Sequence, residues 1–376
     1  MKKSKWFLPA AFLALLTGCA GGKDKTVQQK PERTILFVID GMTSGLHQKA
    51  AMPAFTALAD SGVLFREVWL PLPAHPAKSD AYPWTCSIPN PVLMSGTVFI
   101  GQDSVNRNFI QHSFTERPTG FFVNSVSYVA IKDGFSIYEQ LPKGEMKPHY
   151  TDEVSVEAAK KSILADNPEF IRIHCQGLGS AGSRNKEEGH PYTNNIWYPD
   201  SPYLRQAAYT DGVLGQFVQW LKDNDLWDGT VLIVMGDHGQ ADAGWHEPYM
   251  PGGRTTQMVV AGSGIKKGEI YDYAEIIDVA PTIAWLQNVP APKFSCGRAL
   301  KEVKEGEAVP ARVPQRMKAL DEALQKCHDA GIDVSGTPGL SVEQICKWHL
   351  EPQGTDFAAF VDAQVARADE LVRNKK

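Results

Sequence analysis

Residues 33–40 (Arg-Thr-Ile-Leu-Phe-Val-Ile-Asp) form an unbroken apolar run that ends in a carboxylate followed by Gly41. This is the pattern of a strand buried on both faces of a parallel sheet. Residues 169–176 and 230–237 repeat it, and residues 257–261 are a fourth, shorter candidate. Between these runs, helical patterns cover 152–165, 203–222 and 274–286, the last with Pro281 inside it. Strand and helix alternate, so the expected fold is α/β, with a largely parallel central sheet and helices on both faces. Ligands of such sheets gather beyond the carboxyl ends of the strands. Strand signals stop after Leu300, and residues 301–376 read as a mostly helical, polar C-terminal extension with Gly/Pro breaks.

The first residues have a different logic. Lys2, Lys3 and Lys5 precede a mostly apolar stretch, 6–16, that is too short to span a bilayer. It leads into Leu16-Thr17-Gly18-Cys19, which resembles the lipobox of bacterial lipoproteins. The resemblance implies removal of a signal peptide, acylation of Cys19 and a lipid-anchored protein of the cell envelope, outside the cytoplasm. Ala20 rather than Asp after the cysteine fits sorting to an outer membrane where the cell has one, and otherwise anchoring in the cell membrane. Residues 20–32 then serve as a solvated tether to a domain spanning 33–300.

Composition narrows the function. The chain has 376 residues, of which 43% are hydrophobic and 22% charged, as in a soluble globular protein. A net charge of −5 offers no basic surface for nucleic acid, so a small soluble substrate is expected. An oxidising compartment permits disulfides, and of the six cysteines Cys327 and Cys346, close in sequence, are the expected pair.

Candidate chemistry clusters just after the buried strands. Asp40 ends the first, and Met235-Gly236-Asp237-His238-Gly239 ends the third, followed by His246 in Gly244-Trp245-His246-Glu247. Carboxylate with imidazole suits Zn²⁺ or Mn²⁺ and is unusual for calcium. A third segment, residues 82–96, carries Thr85, Cys86 and Ser87 ahead of a short helix-like stretch stopping at Ser95-Gly96. A nucleophile there would attack phosphorus while a metal lowers its pKa. Taken singly, each segment also reads as a capping or loop residue.

Together, in this order, they resemble the alkaline phosphatase superfamily, nearest its type I phosphodiesterase/nucleotide pyrophosphatase and sulfatase-like branches. Gly262-Ser263-Gly264-Ile265-Lys266-Lys267-Gly268, Asp278-Val279-Ala280-Pro281-Thr282-Ile283-Ala284 and Gly297-Arg298-Ala299-Leu300 are similar to further stretches of that family. The resemblance implies an alkaline-phosphatase-like hydrolase of phosphate esters. Asp40, Asp237 and His238 would hold one metal, with the nucleophile's oxygen as a further ligand. The spacing that members of the superfamily keep before this glycine implies Cys86 as nucleophile, and the nucleotide pyrophosphatase pattern T-x-P-N, matched on Pro89-Asn90, implies Ser87. Ser87 as N-cap keeps Pro91 within the first turn, which favours Ser87.

Two departures matter. Formylglycine sulfatases carry Cys-x-Pro-x-Arg, and here the stretch is Cys86-Ser87-Ile88-Pro89-Asn90, with Pro displaced and Arg absent. Two-metal phosphodiesterases place an Asp and a His where this chain has Gly179 and Ser183, leaving His246 as the remnant of a second site. Glu187, Glu188 and His190 are nearby substitutes, although such loop residues are usually solvated. Trp84, Trp197 and Tyr198 are candidates to stack on a base or sugar. The alternatives to a phosphoester hydrolase are a sulfatase-like hydrolase, a head-group transferase and a non-catalytic binding lipoprotein.

Overall fold

The computed structural model describes residues 30–70, 89–97, 108–246, 252–304, 316–334 and 357–375. Cys19, Trp84, Cys86, Ser87 and Cys346 lie outside the described residues.

The first apolar run forms β1 (Arg33–Ile39), buried along its whole length. Its neighbours are β5 (Phe170–Cys175) and β6 (Thr230–Met235), both parallel to it. A central strand covered on both faces needs side chains that are apolar in both directions. Accordingly, Ile35, Phe37 and Ile39 enter one core, and Leu36 and Val38 the other.

The sheet is completed by β2 (Val63–Trp69), β3 (Thr119–Val123), β4 (Ile137–Gln140), β7 (Thr255–Gly262), β8 (Glu269–Tyr271) and β9 (Ala274–Glu275). It has nine strands in the order β4-β3-β5-β1-β6-β7-β2-β8, with β9 also on β2. Only β7 runs against the others. The expected largely parallel α/β sheet with helices on both faces is therefore observed. On one face lie α2 (Pro53–Ser61), α4 (Glu153–Asp166) and α6 (Pro202–Asp223), inserting Phe55, Ile163 and Phe217. On the other lie α3 (Pro89–Ser95) and α7 (Val279–Gln287), inserting Leu93 and Ile283. The short α1 (Leu46–Lys49) follows β1, and α5 (Gly177–Arg184) follows β5.

The structure corrects the 274–286 helix. Residues 274–275 form β9, Ile276–Asp278 is a 3₁₀ turn closed by a Glu275/Asp278 capping box, and the helix begins at Val279. Pro281 thus falls in the first turn, where its missing N–H costs no hydrogen bond. Core packing also continues past residue 300. Val303 is buried in the main core, and Lys304 bridges to Ile265.

Beyond it, α8 (Arg316–Asp329) and α9 (Phe357–Lys375) pack on each other, and Leu320 and Val361 reach the main core. Cys327 is not in a disulfide: its thiol is free and buried between these helices, donating to Ala368 O at 3.5 Å.

One buried carboxylate ties the elements beneath the site. Asp152, just before α4, accepts from Gly177 N (2.8 Å), Asn124 Nδ2 (2.9 Å), Gln206 Nε2 (3.0 Å) and Thr210 Oγ1 (2.6 Å). Four donors from three elements lose their acceptor together if it is removed. Asp152→Ala is expected to lower unfolding free energy by about 3 kcal/mol or more in urea denaturation.

Candidate active site

The register of three neighbouring strands delivers the site. Val38 pairs with both His174 on β5 and Met235 on β6, so the exits of β1, β5 and β6 lie side by side. Asp40 follows β1, His174 lies in β5, and Asp237 follows β6. Each of these buried residues offers a ligand atom within 4.8 Å of the others.

Asp40 and Asp237 are dressed by different partners. Asp40 Oδ2 accepts from Tyr128 Oη at 2.5 Å and lies 3.3 Å from His174 Nε2. Asp40 Oδ1 faces His238 Nε2 at 3.9 Å. Asp237 Oδ1 accepts from the backbone N–H groups of Gly41 and His238, both at 3.1 Å, while Oδ2 accepts from Asn90 Nδ2 at 2.7 Å. That same Oδ2 lies 3.6 Å from His238 Nε2.

His238 Nδ1 lies 2.8 Å from Gly239 O, which can only accept, so Nδ1 carries the proton and, in the neutral ring, the Nε2 lone pair faces the two carboxylates. Burial alone would lower the pKa of His238, but Asp237, Asp40 and the bond to Gly239 O outweigh it and push the pKa up. His174 behaves oppositely. Burial, reinforced by Arg172 and His238 against the pull of Asp237, brings it down to about 3. The field of the pocket therefore favours positive charge beside His238 and disfavours it on His174.

Two buried carboxylates with an imidazole lone pair between them are the donor set of a divalent cation such as Zn²⁺ or Mn²⁺. Without a cation, or protons in its place, their mutual repulsion in a low dielectric is costly. Lys143 adds a half-buried ammonium nearby, donating to Ser180 Oγ at 2.7 Å. Burial lowers its pKa, and Asp40 and Asp152 oppose that.

All four sequence-predicted ligands meet here. His246 stacks on His238, with ring centroids 4.1 Å apart, and on Trp245 at 4.4 Å. Glu187, Glu188 and His190 do not join. Glu187 pairs with Arg184 at 3.1 Å, Glu188 is exposed, and His190 stacks on Tyr192 at 4.7 Å. Trp197 has its indole N–H on Asp242 Oδ1 at 2.6 Å and Lys49 over its ring, while Tyr198 is 38% exposed. Tyr128, Asn90, Arg172 and His174 were missed. His174 sits in a strand already expected to end at the site, and Asn90 belongs to the Pro-Asn pair, so both carried a signal; Tyr128 carried none.

Gly179 has no room for a side chain. A Cβ there would stand 1.6 Å from Asp40 Oδ1, and one at Gly41 would stand 2.6 Å from Gln240 Nε2. Helix α5 is packed straight onto the carboxylate, and no side chain fits between.

The family model described as Sulfatase matches residues 96–289, just over half of the chain. The chain belongs to the sulfatase family. Its fold is the alkaline-phosphatase-like one shared by that family's solved structures. A 2-O GAG sulfatase superposes with a TM-score of 0.56 at 14% identity, covering 76% of each chain. The phosphonate monoester hydrolase from Silicibacter pomeroyi gives 0.51 at 15% identity, covering 75% of this chain and 78% of that one.

In sequence, arylsulfatase K of Danio rerio is 28% identical over 251 residues, 60% of this chain and 47% of that protein. GPI ethanolamine phosphate transferase 2 of Candida albicans is 32% identical over 119 residues, 28% of this chain and 13% of that protein. The chain thus spans less than half the length of these curated relatives.

Gly179→Ala is expected to displace the Asp40 carboxylate and weaken Zn²⁺ binding by about tenfold or more, as isothermal titration would read.

Proposed function

We propose that this sulfatase-family chain hydrolyses phosphate esters, diesters above all, through a hydroxyl nucleophile beside a single divalent cation. The observation that carries this reading is the buried Asp40–Asp237–His238 cage, closed on its second-metal side by Gly179. Asp40, Asp237 and His238 would hold the cation, with His246 stacked behind His238. When bound, the ion supplies Lewis acidity, lowering the pKa of the attacking hydroxyl and drawing charge from the ester oxygens.

The chain's own residues do the rest. Ser87, two residues before α3, attacks phosphorus, the leaving alcohol departs, and water then releases the phosphoryl group from the serine. Lys143 holds positive potential beside the site for the anionic ester.

A phosphate ester is favoured over sulfate by Asn90. It stands where the formylglycine motif has Arg, and it is buried and committed to Asp237. Sulfate ester hydrolysis is the second reading, supported by the family match and by Cys86 in the same segment. The matched segment of GPI ethanolamine phosphate transferase 2 supports transfer of a phospho-head-group as a variant of the same chemistry. The Cys19 segment supports a lipid-anchored protein of the cell envelope whose substrate is a small phosphate ester. Labelled palmitate is expected to enter the natural chain and not Cys19→Ser, and equal labelling would contradict the anchor.

Turnover of aryl phosphodiester, phosphomonoester and sulfate ester substrates tests the activity. Phosphodiester hydrolysis is expected to lead, to fall by more than about 100-fold in Asp237→Asn, and to be lost in Ser87→Ala. Undiminished hydrolysis by Asp237→Asn would overturn the reading, and hydrolysis of the sulfate ester alone would transfer it to the second.

A further inference from the structure

One nitrogen of Arg172 stands behind both carboxylates. Arg172 is fully buried on β5, two residues before His174 and hence on the same face of the strand. Its Nη2 donates to Asn90 Oδ1 and lies 3.1 Å from His174 Nδ1. A guanidinium has only donors. Asn90 must therefore present its oxygen to Arg172 and its NH₂ to Asp237 Oδ2, as the 2.7 Å bond requires. By the same reasoning His174 must present a lone pair at Nδ1. A neutral imidazole with a lone pair at Nδ1 carries its proton on Nε2, and that proton points at Asp40 Oδ2, 3.3 Å away.

The consequence separates the two histidines of the site. His238 has its proton on Nδ1, held by Gly239 O, and offers Nε2 to a cation. His174 is the opposite tautomer, with its Nε2 taken up in donating to Asp40. Proximity alone groups His174 with Asp40 and Asp237 as ligands, but its hydrogen bonding excludes it.

We propose that Arg172 is a positioning residue for both carboxylates, acting on Asp40 through His174 and on Asp237 through Asn90, and that His174 orients Asp40 without ligating the cation. With Tyr128 and His174 both donating to Oδ2, Asp40 is held so that Oδ1 faces His238. The ion is then taken by Asp40 Oδ1, Asp237 and His238 Nε2. This assignment rests on the single-cation reading above, yet the tautomer of His174 is set by Arg172 whether or not an ion is present.

Long-range ¹H–¹⁵N correlation spectra of the ¹⁵N-histidine-labelled full chain, metal-free and with one equivalent of Zn²⁺, test it. The signals of His174 are identified by their loss in His174→Gln. His174 is expected to keep a proton on Nε2 and none on Nδ1 in both states, while Zn²⁺-loaded His238 carries its proton on Nδ1. A proton on Nδ1 of His174, or loss of its Nε2 proton on loading, would overturn the proposal. Failure to bind Zn²⁺ would count against the cation reading alone, because the metal-free spectrum still decides the tautomer. In Arg172→Met, Zn²⁺ affinity is expected to fall by about 10- to 100-fold with unchanged circular dichroism. An unchanged affinity in the folded variant would contradict the relay, and a variant that fails to fold leaves the decision to the spectra of the natural chain.

Discussion

Two carboxylates buried against each other at the exits of neighbouring parallel strands are the constraint around which the molecule is arranged. Asp40 and Asp237 are both inaccessible, and like charges in a low-dielectric pocket repel strongly. Each is therefore surrounded by donors: Tyr128 and His174 on one, Gly41 N, His238 N and Asn90 on the other. Charge balance remains incomplete with these neutral donors alone, which is why the pocket raises the pKa of His238 and why a divalent cation fits between the carboxylates. The sheet supplies the geometry, since β1, β5 and β6 are adjacent and in register at their carboxyl ends.

The glycines of α5 follow from that geometry. Gly179 lies against Asp40, and a Cβ at Gly182 would stand 2.2 Å from Gln240 Oε1. Gln240 in turn donates to Gly179 O at 3.1 Å and accepts from Trp245 N at 2.7 Å, binding the helix to the loop that carries His238 and His246. Helix α5 is thereby pressed onto the Asp40 carboxylate. The single cation proposed here is in keeping with that packing.

Much of this was legible in the residues. The three buried strands that form the site are continuous apolar runs, and their polar ends carry Asp40, Asp237 and His238. What was not legible falls into two kinds. Strand β2, interrupted by Arg66 and Glu67, and the short β3 and β4 draw their stability from neighbours distant in sequence, so local pattern understates them. Tyr128 and Arg172 belong to the second kind. Their roles come from a hydroxyl and a guanidinium brought to one carboxylate cluster by tertiary packing, which no spacing rule encodes. His174 stood inside a strand already assigned to the site, but its orientation depends on Arg172 and could not be read without it.

One cation in one cage is what the proposed site requires. Elemental analysis of the purified full chain, after exhaustive exchange against Zn²⁺ and removal of loosely bound ion, measures it directly. About one equivalent of Zn²⁺ per chain is expected, falling to near zero in Asp40→Asn. Two equivalents, or one that survives Asp40→Asn, would contradict it.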